Sequence, residues 1–169
     1  EDPYTWTPAA TNQAGSLRLS HGSAITTVVQ TRQEMVVFTD SSLYSLQYVG
    51  APYVWTAQLL ADNVSIVGPN AAVAASGRVF WMGVDKFYVY DGRVQTLNCD
   101  LRRYVFQDFN RLQNEQVYCS TNEGFNEVWW FYCSADSLTA DRYVIYNYLE
   151  NVWYYGTMAR TAWLDSGLL

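Results

Sequence analysis

The side chains best equipped for chemistry in this 169-residue chain are few: one histidine, three cysteines and a scatter of aspartates. His21, the sole histidine, rules out a metal centre built on several imidazoles, and its polar setting between Ser20 and Gly22 predicts a surface ring. A Ser-His-Asp constellation could be drawn from the abundant serines and aspartates, but no Gly-x-Ser-x-Gly elbow presents a nucleophile. Two carboxylate pairs are harder to dismiss. Asp85 and Asp91 flank one predicted strand, Asp136 and Asp141 flank a polar insert, and either pair, if convergent, could supply glycosidase acid and base or hold calcium. Turn chemistry is the simpler account, because Asp accepts local backbone hydrogen bonds and the alternating acids of a calcium loop are missing. Cys99, Cys119 and Cys133 form no CxxC pair and are odd in number, so they read as buried free thiols. Neither a phosphate-cradling loop nor a dinucleotide fingerprint occurs, and the residues call for no cofactor, no metal and no catalytic group.

The elements that would position these side chains follow from composition and periodicity. Half the residues are apolar and 17% aromatic, whereas only 15% are charged, which suits a large β-rich core and excludes disorder. The net charge of −6 argues against a basic surface that grips phosphates and is ordinary for solubility. No apolar run approaches the roughly 20 residues of a membrane span. The start lacks the layout of a secretory signal and does not begin with Met, so the chain reads as intracellular or as a piece of a longer protein.

The most informative stretch is 126–163. In Glu127-Val128-Trp129-Trp130-Phe131-Tyr132 nearly every residue is aromatic or β-branched, the mark of a strand buried on both faces. An insert at 134–141 interrupts the pattern, 142–148 resumes it, Leu149-Glu150-Asn151 turns, and 152–157 returns, predicting a three-stranded antiparallel meander. Upstream, residues 1–22 form an irregular lead-in with Tyr4 and Trp6 as packing anchors. Residues 23–67 make a first β unit of four strands, the last reaching Ile66 and Val67, and 68–97 make a second unit of three strands. Residues 115–169 make the third unit. Placing Val37-Phe38 over Val79-Phe80 also places Gly50 over Gly92, a period of about 42 residues in the range of propeller blades. The expected fold is therefore all-β, with antiparallel meander units stacked as part of a β-propeller; a β-sandwich is the competing architecture.

Between the second and third units, 98–114 breaks the β rhythm. Leu101, Tyr104, Val105, Phe109 and Leu112 recur at helical spacing behind a possible Asn98 cap, predicting one short amphipathic helix. Its polar side carries Arg102, Arg103, Asp108 and Arg111, a docking face for another chain or simply a solvated one. Together with Asp136 and Asp141 of the insert, Arg102, Arg103 and Arg111 are the candidate interface residues. Trp129, Trp130 and Trp153 lie in long apolar strands and read as core, though rows of Trp and Tyr can also stack on sugars or fill subunit interfaces.

The segments GPNAAVAASGRVFWMGVDKFYVYDG (68–92) and NEVWWFYCSADSLTADRYVIYNYLENVWYYGTMARTAW (126–163) resemble the tail nozzle or hub proteins of short-tailed bacteriophages, the group that includes packaged-DNA stabilisation proteins. The resemblance spans about 7–167, and its most specific marks are EVWWFY, DRYVIYNY and GTMARTAW. It implies a non-enzymatic virion protein of the phage tail, made in the host cytoplasm. Identical subunits would form a ring, six in number, below the portal and adaptor, retaining the packaged genome and touching DNA only transiently and without sequence preference. It also implies a propeller longer than three units. Two other classes stay open: a carbohydrate-binding or glycoside-processing propeller, and an interaction scaffold of a cell-associated propeller.

Overall fold

Runs of β-branched and aromatic residues separated by Gly, Asn and Asp turns fold here into twelve strands, and the computed structural model describes residues 4–165 of the chain. The first sheet is β1 (Ile25–Gln30), β2 (Met35–Thr39), β3 (Ser42–Tyr48) and β4 (Trp55–Asp62). The second is β5 (Ala72–Ala75), β6 (Arg78–Met82), β7 (Phe87–Tyr90) and β8 (Val94–Thr96). The third is β9 (Tyr118–Asn122), β10 (Glu127–Tyr132), β11 (Arg142–Asn147) and β12 (Val152–Thr157). Each sheet is an antiparallel meander in chain order.

The three sheets stack face to face, and strand parity decides which residue meets which neighbour. On the second sheet Val79, Trp81, Tyr88 and Tyr90 pack with Val36, Phe38 and Leu43 of the first. The alternate residues Phe80, Met82, Phe87 and Val89 pack with Val128, Trp130, Val144 and Tyr146 of the third. The second sheet thus turns its back toward the first sheet and its front toward the third, and the faces of the other two sheets are named in the same sense. Aromatic contacts cross both seams: Phe38 meets Trp81 edge-on at 5.2 Å, and Phe87 lies 4.9 Å from Trp130. The Trp130 indole N–H donates to the Ala71 carbonyl at 3.1 Å, so this fully buried ring leaves its one donor satisfied. The leading strands also approach one another, β1 beside β5 and β5 beside β9, with the Cys119 N–H donating to the Asn70 carbonyl at 2.7 Å.

Several expectations need correction. The second and third units each contain a fourth strand, because the short polar runs Val94–Thr96 and Tyr118–Asn122 pair with β7 and β10 despite weak β patterning of their own. The fourth strand of the first unit stops at Asp62, where Asn63 adopts a positive φ of 56° and Asp62 accepts its N–H, so Ile66 and Val67 lie beyond it. The helix expected over 98–114 is two pieces. An α-helix, α1, spans Arg102–Asp108, has Leu101 rather than Asn98 at its N-cap position, and is followed by a 3₁₀ turn over Arg111–Gln116. The break falls at Asn110, whose side chain caps the new turn by accepting the Leu112 N–H at 3.1 Å. Leu112 consequently points into solvent, 90% exposed, instead of continuing the apolar stripe. Tyr4 and Trp6 are surface residues rather than buried anchors.

Candidate functional site

The groups with chemical potential are held apart or already engaged. The exposed His21 ring places Nδ1 3.0 Å from the adjacent Ser20 hydroxyl and 3.3 Å from the Tyr44 hydroxyl, which also accepts the His21 backbone N–H. One ring nitrogen thus faces both hydroxyls, unlike a triad, where serine and acid occupy opposite nitrogens. Asp85 and Asp91 sit at opposite ends of β7; Asp85 pairs with Arg102 at 3.1 Å and Asp91 accepts from Gln95. Asp141 closes the base of the insert by accepting the Ser134 backbone N–H and hydroxyl, both at 2.8 Å. Burial raises its pKa, but these bonds and Arg142 outweigh that and hold it below the ordinary value. Among the described residues no group of three or more His, Cys, Asp or Glu side chains could hold a metal ion. All three cysteines are free; burial pushes the Cys99 thiol up to about 12 and raises Cys119 and Cys133 as well, so none is a ready nucleophile.

Of the elements that carry the interface residues expected from the sequence, the end of α1 and the insert meet. Asn110 donates through Nδ2 to the Ser137 carbonyl at 2.9 Å, its N–H donates to the Cys133 carbonyl, and Phe109 bridges Ser134, so the end of α1 and the insert are fastened together. Arg142 adds an ion pair with Asp108 at 3.2 Å. Arg103 of α1, Arg111 after the joint and Asp136 of the insert are exposed, as are Leu112 and Leu138. Arg102 is committed to Asp85 and Asp141 to Ser134, which leaves Arg103, Arg111 and Asp136 as the outward charges of the set.

A second surface had no forecast in the sequence. The back of the first sheet, which among the described residues has no preceding sheet against it, lines a groove of about 910 Å³ together with Trp6 and Leu17 of the lead-in. Ile25 and Val28 of β1 and Trp55 of β4 are exposed there, beside Met35, Tyr44 and Leu46. The lining contains no charged side chain. The one available signal was the lack of alternation in Met35-Val36-Val37-Phe38, which asks for cover on both faces. At the opposite end of the stack, the front of the third sheet (Trp129, Phe131, Ile145) is overlaid by residues 158–165, with Trp163 stacked on Trp129 at 5.0 Å.

Comparison with protein-family models finds no match, and comparison with curated proteins finds no similar sequence. No helix among the described residues is long and apolar enough to cross a membrane.

Proposed function

We propose that this chain is an assembly module: three blades of a β-propeller belonging to a structural virion protein of the phage tail nozzle or hub, which retains packaged DNA and forms the conduit for its ejection. The observation that carries the reading is the serial stack of three four-stranded meanders whose leading strands converge. Small sheets buried on both faces and drawn together along one edge are what radial blades require. The virion half of the proposal is supported by the resemblance of 68–92 and 126–163 to tail nozzle proteins. The surfaces agree with it, since the outward features are an apolar sheet face and a helix-insert joint, both suited to protein contact.

The test is the oligomeric state of the full-length protein, imaged alone and with its portal and adaptor. A closed ring, six subunits around the axis, is the expected result, and a monomer that joins neither partner overturns the proposal. Within it, the double substitution Arg102→Glu and Arg103→Glu should weaken ring formation while costing the isolated fold less than about 1 kcal/mol, because the Arg102–Asp85 pair is solvent-exposed. One observation favours a second reading: Trp6 and Trp55 line the same groove, as in a sugar-stacking platform. The groove offers no carboxylate, so glycoside processing has no acid or base there, and glycan binding by the monomer is the result that would favour a carbohydrate module.

A further inference from the structure

The back of the first sheet continues an interface that the chain builds twice. The back of the second sheet (Val79, Trp81, Tyr88) is covered by the front of the first, and the back of the third (Trp130, Val144, Tyr146) by the front of the second. The first sheet repeats the construction: Val37 and Tyr44, paired across β2 and β3 on its back, hold the strand positions of the pair Trp81 and Tyr88, yet a groove takes the place of a preceding sheet. The face able to continue the series is the front of the third sheet, where Trp129, Phe131 and Ile145 repeat the aromatic and aliphatic make-up of Phe80, Met82 and Phe87. That front carries only a strap. Residues 158–165 lie over it without regular strand structure, anchored by Trp163, whose indole N–H donates to the Thr121 carbonyl at 3.1 Å, and by Asp165, which accepts from Thr121 and Glu123. Tyr154, paired with Ile145 on that face, remains 47% exposed.

We propose that the back of the first sheet docks the front of the third sheet of a second copy of this chain, head to tail, with the strap of that copy displaced from the seam. Residues 4–165 of each copy bring three sheets, so two copies of this stretch joined at both seams supply six, within the roughly four to eight blades that propellers use. The uncharged groove suits this occupant, because two chains of like net charge meet there without placing a charge in the seam. A back-to-back pair would instead join two faces that the chain nowhere places in contact. This inference rests on the propeller half of the reading above and is independent of its virion half.

Sedimentation velocity of the 169-residue chain over a wide concentration range tests it, with two variants. Val28 and Trp55 are exposed on the groove, so Val28→Lys with Trp55→Lys should leave the monomer folded and weaken dimerisation about tenfold or more, because each ammonium would be buried in the seam. Trp163→Ala loosens the strap and should strengthen dimerisation. A dimer that responds in both ways establishes the docking. Wild type and Trp163→Ala both monomeric throughout, a dimer indifferent to the lysines, or a dimer sensitive to the lysines but not strengthened by Trp163→Ala overturns it. The propeller reading fails separately, if images of the full-length protein lack radially arranged sheets.

Discussion

Glu34 joins the first two sheets through its carboxylate: one oxygen accepts the Tyr90 hydroxyl at 2.8 Å, and the other accepts from Ser45 and Gln47. Burial raises its pKa, yet the three hydrogen bonds together outweigh burial and leave it below the ordinary glutamate value. The same contact acts on Tyr90, whose pKa is pushed up to about 12 by burial and then by Glu34. A carboxylate depressed on folding stabilises the fold fully above its unfolded pKa, about 4.3, and that contribution disappears as pH falls through the lower folded value. Glu34→Gln should therefore be less stable than wild type at pH 7, with the gap narrowing toward pH 3. Urea titrations at both pH values measure this, and an unchanged gap would contradict the assignment. The sequence held no sign of the role, since Glu34 merely precedes a strand and its partners Ser45 and Tyr90 are 11 and 56 residues away. The lone His21 was legible as a surface ring, but its contact with Tyr44 was not, for the same reason of distance along the chain.

Among the elements, the strands with strong intrinsic patterning were legible and those defined by a partner were not. Glu127–Tyr132 and Arg142–Asn147 announce themselves because both faces are buried, which removes polar residues from either parity. Tyr118–Asn122 is half-buried along its whole length and carries Cys, Ser, Thr and Asn, so its strand identity comes from pairing with β10. The repeat was legible from its turns, as Gly50 and Gly92 follow the third strand of their sheets with positive φ values of 78° and 98°. Gly68 carries a different constraint. A Cβ placed there would lie 2.6 Å from the Asn114 carbonyl oxygen, a backbone atom that cannot swing aside. Gly68→Ala should cost about 1–3 kcal/mol by overpacking. Gly124→Ala, where nothing lies within 4 Å, should cost less, and chemical denaturation of the two variants compares them.

For the whole molecule, the second sheet is the centre of stability because its neighbours cover it on both faces, and β10 and β11 have the second sheet behind and the strap in front. Amide hydrogen exchange should accordingly be slowest in β6, β7, β10 and β11 and fastest in 4–22 and 158–165. Equal protection of the lead-in and β6 would refute that hierarchy. The sequence by itself determined that the chain is β-rich, that Gly50 and Gly92 repeat a turn 42 residues apart, and that the central strands of each unit need cover on both sides, because turn chemistry and lack of alternation are local properties of the chain. Only the tertiary structure decided which face meets which, that α1 and the insert fasten together, and that the back of the first sheet is left as a groove while the third is strapped. Apolar burial is non-directional, so any buried face fits many partners until the order of stacking assigns one.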